Sequence, residues 1–131
     1  MDFKKFVTIG IAVGIAANVI DFVVHGNLLA AYYAQAPFRQ DTNVVWVVIG
    51  DFVAAFVFAW FYLTVAGSFA PGVSGGATMG FYTGVLVNFP AAIFMYLMFQ
   101  GFPYFLSWIW IVYGVFWYVC AGAIAGAINK R

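Results

Sequence analysis

The sequence predicts an all-α membrane protein, folded as an antiparallel four-helix transmembrane bundle. Three observations predict this fold class. Of the 131 residues, 66% are hydrophobic, only 7% are charged, and the apolar residues fall into four long runs. Soluble domains carry about a quarter charged residues, so this composition indicates a chain surrounded by lipid. The first predicted partner is therefore the lipid bilayer.

The four apolar runs cover residues 6–34, 44–66, 73–99 and 105–128. At a rise of about 1.5 Å per residue, each run is long enough to cross about 30 Å of hydrocarbon as a helix. The connections are short and rich in turn-forming residues: Pro37 to Asn43, Gly67 to Gly72, and Gln100 to Tyr104. Short connections place successive helices side by side and antiparallel, so residues 1–131 are predicted to form one domain.

Basic residues are concentrated at the chain ends, as Lys4, Lys5, Lys130 and Arg131, and only Arg39 lies in a loop on the other side. After four crossings both ends are on the same side of the membrane. The positive-inside rule then predicts that both termini lie in the cytoplasm. A net charge of +1 provides no basic surface for phosphates, which argues against nucleic-acid binding.

The first and third runs share one spacing of two glycines and an asparagine: Gly10, Gly14 and Asn18, then Gly80, Gly84 and Asn88. This pattern indicates two helical hairpins repeated in parallel and related by a pseudo-twofold axis along the membrane normal. Small residues at four-residue steps are also common in membrane helices, so a chance match is the alternative.

Small residues at this spacing also predict where helices pack closely. The predicted packing residues are Gly10, Gly14, Gly76, Gly80, Gly84, Gly122 and Gly126. Without a side chain in the way, two helix backbones can approach and gain van der Waals contact, which drives association in lipid. The spacing leaves open whether the packed helix belongs to the same chain or to another.

A few polar side chains interrupt the apolar runs. Counted from the helix ends, they fall in one layer in the outer half of the bilayer: Asn18, Asp21, His25, Asp51, Asn88 and Tyr113. The first three are three and four residues apart and share one helix face. Because an ionisable group at this depth costs a few kcal/mol unless it is paired or hydrated, we expect these side chains to face one another inside the bundle.

Three interpretations of this polar layer stay open. In the first, its hydrogen bonds only fix the register of the helices. In the second, it binds a cation, a proton or another ligand beneath an external vestibule. In the third, it holds a metal or haem, for which His25 needs a further ligand from water or another chain. With one histidine and one cysteine, the chain by itself predicts no cofactor and no metal.

The sequence contains no catalytic constellation. Ser107 is the serine predicted at the level of His25 and Asp51, and its neighbours do not form a nucleophile elbow. We therefore expect a non-enzymatic protein, an accessory or packing subunit of a homo-oligomer or a larger membrane complex that associates through its glycine faces. The alternative is a small oligomeric channel or transporter for an ion or solute that uses the Asp/His layer.

Three stretches resemble a group of small bacterial four-span membrane proteins without an assigned activity: Asp21–Ala30, Gly80–Gly84 and Ala121–Lys130. In that group an aspartate and a histidine-glycine pair close the first helix, as Asp21 and His25 do here. A Trp-Arg pair follows in its first loop, where this chain has Phe38 and Arg39. The resemblance implies the four-span fold and a bacterial inner membrane, and it brings no activity, substrate or cofactor with it.

Overall fold

The computed structural model describes residues 2–34 and 37–130, and these residues form helices joined by short connections. In chain order the elements are α1 (Phe3–Val23), a π-helical turn (Val24–Leu28), α2 (Ala30–Tyr33), α3 (Val44–Val65), a 3-10 turn (Ala66–Ser68), α4 (Gly72–Met98) and α5 (Tyr104–Asn129). Strands do not occur in these two ranges. The predicted all-α four-helix fold is confirmed.

Four helical stretches are long and apolar enough to cross a membrane: Phe3–Leu28, Val44–Ser68, Gly72–Met98 and Tyr104–Asn129. Their outward faces carry large apolar side chains, for example Leu86 and Val112, which are 73% and 68% exposed. Such surfaces are suited to lipid tails, and helices satisfy their own backbone hydrogen bonds there. The chain is a multi-pass membrane protein.

The first helical segment ends differently from the predicted run of residues 6–34. The Leu29 N–H donates to the Val24 carbonyl at 2.8 Å, which closes a π-helical turn. Within this turn the side-chain amide of Asn27 donates to the Phe22 carbonyl at 2.7 Å. A side-chain donor that takes a backbone carbonyl competes with the regular helical ladder. The other three helices begin and end within one or two residues of the predicted runs.

Residues before the long helices explain where these helices start. The Asn43 carboxamide oxygen accepts from the Val45 N–H at 2.9 Å and caps α3. Asp2 does the same for α1 through the Lys5 N–H, at 3.2 Å. Asparagine and aspartate are favoured at this position because they satisfy amides that have no partner inside the helix.

The four long helices form two hairpins. Helix α1 packs against α3, α4 packs more extensively against α5, and the hairpins meet chiefly through α1 and α5. The two chain ends lie together, because Lys5 Nζ donates to the Asn129 carbonyl oxygen at 3.2 Å and to its Oδ1 at 3.0 Å. An even number of antiparallel helices requires this arrangement.

The α4–α5 hairpin is a crossing of two backbones in direct contact. A Cβ added to any of its predicted packing glycines would overlap backbone atoms of the facing helix: Gly76, Gly80, Gly84, Gly122 and Gly126. At Gly80 the overlapped atom is the carbonyl oxygen of Tyr118. The packed helix, which the spacing left open, belongs to the same chain.

The α1–α3 hairpin is held further apart by aromatic rings. A Cβ on Gly10 would overlap the ring of Phe56, and a Cβ on Gly14 would overlap the ring of Phe52. A phenyl ring therefore lies where the other hairpin has backbone against backbone. The wider hairpin leaves room for a groove between α1 and α3.

The two asparagines of the repeated pattern make the same local bond in different surroundings. Asn18 Nδ2 donates to the Gly14 carbonyl at 2.9 Å, and Asn88 Nδ2 donates to that of Gly84 at 2.8 Å. The Asn88 amide also rests directly on Gly114 of α5. The predicted duplication stays a prediction, which this shared bond supports.

The close-packed core occupies the half of the bundle near the chain ends. Its buried members come from all four long helices: Ile9, Val13, Ala55, Phe58, Ala59, Tyr62, Ala66, Met79, Ala121 and Ala125. A smaller cluster, formed by Leu29, Phe102 and Leu106, lies beneath the opposite connections. The predicted polar residues lie between these two clusters.

Candidate functional site

The predicted polar side chains border a cavity of about 330 Å³, called the chamber below. The chamber is lined by Asp21, His25, Asp51, Ala54, Asn88, Trp110, Tyr113, Gly114, Trp117 and Tyr118. Every long helix contributes at least one polar group to it. Five of the six predicted polar residues therefore meet at one place, and Asn18 is the exception.

Two carboxyl groups from different helices form the acidic side of the chamber. Asp21 of α1 and Asp51 of α3 lie within hydrogen-bonding reach of each other. One oxygen of each, Asp21 Oδ1 and Asp51 Oδ2, is buried without a hydrogen-bond partner among the described residues. Two ionised carboxylates are not stable this close together in a medium of low dielectric constant. The pair therefore requires a proton or another cation.

Tyr113 places a third buried oxygen at the chamber. In residues 2–34 and 37–130, its Oη has no hydrogen-bond partner. Its ring meets the imidazole of His25 edge-on, with the ring centroids 4.6 Å apart. Buried polar atoms are normally hydrogen-bonded, and Tyr113 belongs to the wall of the cavity, so its hydroxyl is a candidate contact for a water or a ligand there.

The orientation of His25 is fixed from the side of α2. His25 Nδ1 lies 2.6 Å from Tyr33 Oη, and Trp110 Nε1 donates to the same oxygen at 2.8 Å. The indole N–H takes one lone pair of the Tyr33 oxygen, and we assign the hydroxyl proton to the contact with His25 Nδ1. Tyr33 lies beyond the first span, and burial raises the pKa of its phenol, which keeps its proton at neutral pH. Neutral His25 then carries its own proton on Nε2.

A second cavity of about 560 Å³, called the groove, lies between α1 and α3. It shares Asp21, His25 and Asp51 with the chamber and extends to Arg39 and Thr42 in the connection that follows α2. These three shared residues border both cavities. Asn18 lines the groove but not the chamber.

The charge at the loop end of the groove is paired. Arg39 Nε and Nη2 donate to the two carboxylate oxygens of Asp41, each at 3.1 Å. These hydrogen bonds hold the pKa of Asp41 below its usual value. Both side chains are largely exposed, so the pair contributes little to stability, but it neutralises the positive charge near the groove.

Sequence reasoning missed the aromatic wall of the chamber. Trp110, Trp117 and Tyr118 line it together with Tyr113, all from α5. Their steps of three, four and one residues place them on one helix face, and this spacing is the signal that identifies them. Tyr33, which positions His25, gave no such signal because it lies beyond a π-helical turn.

Two other predicted features lie outside the chamber. Ser107 is buried and borders neither the chamber nor the groove. Among the residues that the structure describes, no group of three or more His, Cys, Asp or Glu side chains is placed to hold a metal ion. The polar contacts of the chamber therefore come from the two carboxyl groups, the His25 imidazole, an amide and a phenol.

Comparison of the chain with known protein families, curated proteins and solved structures gave no match. The fold itself defines the class of protein, a helical multi-pass membrane protein with four candidate spans. Its distinguishing feature is a polar chamber between two hairpins.

Proposed function

We propose that this protein is a non-enzymatic channel or transporter that holds a small cation, a proton included, at the Asp21–Asp51 pair. The observation that supports it is the contact of these two carboxyl groups, each with a buried oxygen that has no partner among the described residues. Within a bilayer such a pair is costly unless a cation compensates it. A proton shared between the two carboxyl groups would satisfy both, and it is the smallest cation that the pair can hold.

The two cavities give this pair a route as well as a site. The groove reaches Asp21 and Asp51 from the first connection, and the chamber reaches them from between the hairpins. A cation held at the pair is therefore reached through the groove from the side of the first connection. A path to a buried ion-binding position is a feature of channels and transporters, and a closed structural cluster does not need one.

The experiment is a flux assay in liposomes with a panel of protons, Na⁺, K⁺ and ethylammonium. We expect the wild-type protein to conduct at least one of these cations, and Asp21→Asn and Asp51→Asn to lose that flux while the helical content stays unchanged. Asp2→Asn is the matched control, because Asp2 is exposed, borders neither cavity and caps α1 in a way that asparagine can keep. Flux that survives both core substitutions, or no flux for any cation, would contradict the proposal.

A second candidate is the accessory or packing subunit, which one observation favours. Residues 44–50, the first two turns of α3, are exposed all around the helix. The glycines of α4 and α5 already face helices of this chain. A further subunit would therefore dock on residues 44–50 of α3 instead. Disulfide trapping of Trp46→Cys in a Cys120→Ser background tests a homo-oligomer, and Leu97→Cys, similarly exposed on α4 and outside the groove, is the control.

A further inference from the structure

Three residues that line the chamber each carry a buried oxygen that has no hydrogen-bond partner among the described residues. These oxygens are Asp21 Oδ1, Asp51 Oδ2 and Tyr113 Oη, and they come from α1, α3 and α5. All three residues line the same cavity. A phenol oxygen accepts hydrogen bonds through its lone pairs. The oxygens of an ionised carboxylate can accept hydrogen bonds but cannot donate them. Oxygen-bearing side chains from three helices in the wall of one cavity suit a cation that brings several hydrogen-bond donors.

The rest of the wall is aromatic. Trp110, Trp117 and Tyr118 border the chamber beside the acceptors. The N–H of Trp110 is already donated to Tyr33. Its ring therefore contributes a π surface, and aromatic faces attract organic cations and cover their apolar carbons. Such a wall is poorly suited to a hydrated inorganic ion, which needs oxygen ligands on all sides.

His25 is the one imidazole that the chain could offer to a metal. With the Tyr33 hydroxyl assigned as the donor to Nδ1, Nε2 carries the proton of the neutral ring. The two carboxyl groups alone are a short ligand set for a divalent ion, since such ions take about six oxygen ligands. The donor and acceptor arrangement therefore favours a ligand that brings its own N–H groups.

We propose that the chamber selects primary alkylammonium ions, a ligand class that rests on the proposed cation function. The ammonium group donates to Asp21, Asp51 and Tyr113, and the alkyl chain lies against Trp117 and Tyr118. An aliphatic amine has a pKa near 10.4 and is charged at neutral pH. The chamber, at about 330 Å³, is at the small end of ligand pockets and suits a short-chain amine.

Isothermal titration calorimetry on the full chain in detergent micelles tests the ligand class with ethylammonium, tetramethylammonium and K⁺ as probes. Tetramethylammonium keeps the charge and the affinity for aromatic faces but has no N–H donor. We expect ethylammonium to bind about tenfold more tightly than either other probe, the equivalent of one hydrogen bond to a charged group. Equal or tighter binding of tetramethylammonium or K⁺ would overturn the ligand class.

Tyr113→Phe isolates the third acceptor. It removes one oxygen, keeps the ring and should weaken ethylammonium binding about tenfold, with little effect on tetramethylammonium. Tyr104→Phe is the matched control on the same helix, since its side chain is exposed and borders neither cavity. Unchanged ethylammonium binding in Tyr113→Phe would contradict the inference.

The outcomes separate this inference from the proposed function. If K⁺ binds as tightly as ethylammonium and binding still requires Asp21 and Asp51, the ligand class is wrong and the cation site stands. If none of the three probes binds and no cation crosses in the flux assay, both proposals are wrong. The folded state of each variant is checked by circular dichroism and by a single peak in size-exclusion chromatography.

Discussion

Gly76 and Gly122 lie backbone to backbone, so that a Cβ on either residue would overlap the carbonyl oxygen of the other. This contact sets the distance between α4 and α5 and makes the second hairpin the more closely packed half of the bundle. The first hairpin, spaced by phenyl rings, is the half that opens into the groove. Asp51 and Asp21 belong to that wider half, while the aromatic wall belongs to the closely packed one.

Enlarging a glycine of the α4–α5 crossing should destabilise the protein. In Gly80→Ala the new Cβ overlaps the Tyr118 carbonyl oxygen, so the helices must separate, at a cost of about 1–3 kcal/mol in the free energy of unfolding. Thermal unfolding followed by circular dichroism in one detergent measures the loss. Gly50→Ala is the control, because a Cβ there meets no atom within 4 Å. Equal melting temperatures for the two variants would show that the crossing is looser than described.

Removing the link between the chain ends should loosen the terminal end of the bundle. Lys5→Ala removes two hydrogen bonds from an ammonium group to Asn129, which is 5% exposed, and should cost about 1–2 kcal/mol. Hydrogen exchange at the first turns of α1 and the last turns of α5 reports this loss. Lys4→Ala is the control, since that side chain is exposed and makes no hydrogen bond to the described residues. Faster exchange at one end only would contradict a shared link.

Both termini are predicted to lie in the cytoplasm. In intact cells with a Cys120→Ala background, Gln40→Cys in the first connection should react with a membrane-impermeant maleimide. Ser68→Cys, in the connection on the side of the chain ends, should react only after the cells are lysed. The opposite labelling pattern would reverse the orientation, with the bundle unchanged.

The proton on His25 is predicted to lie on Nε2. Because the chain has one histidine, nitrogen NMR on protein labelled at histidine shows directly which ring nitrogen of His25 is protonated. Tyr33→Phe should change the signal of Nδ1, which loses its donor, whereas Tyr32→Phe should leave it unchanged because Tyr32 makes no side-chain hydrogen bond to a described residue. A wild-type ring with its proton on Nδ1 would contradict the hydrogen-bond order from Trp110 through Tyr33.

Composition and turn residues were sufficient to predict the four helices, because lipid requires long apolar segments and short connections. Counting depth along each helix was sufficient to place Asp21, Asp51 and Asn88 at one level, since the helical rise is nearly constant. These predictions depend only on local geometry, which is why they hold without knowledge of the packing.

Features that depend on contacts between helices could not be predicted from the sequence. The π-helical turn follows from one side-chain bond, from Asn27 to the Phe22 carbonyl, and helical periodicity does not reveal it. Helical periodicity also does not predict the contact of Tyr33 with His25, because Tyr33 follows that turn. Nor does it predict that Gly14 packs against a phenyl ring while Gly84 packs against backbone. Identical spacing in two helices does not determine whether a ring or a backbone faces the glycine.

Whether Asp21 and Asp51 hold a cation is tested most directly by reaction with dicyclohexylcarbodiimide, a hydrophobic reagent for protonated carboxyl groups, read by peptide mass spectrometry. We predict an adduct on Asp21 or Asp51 in membranes, reduced about tenfold or more by saturating ethylammonium, as expected for a site more than nine-tenths occupied. Asp41 should show no protected adduct. An adduct on the pair that neither ethylammonium, Na⁺ nor K⁺ reduces would contradict a cation site in the chamber.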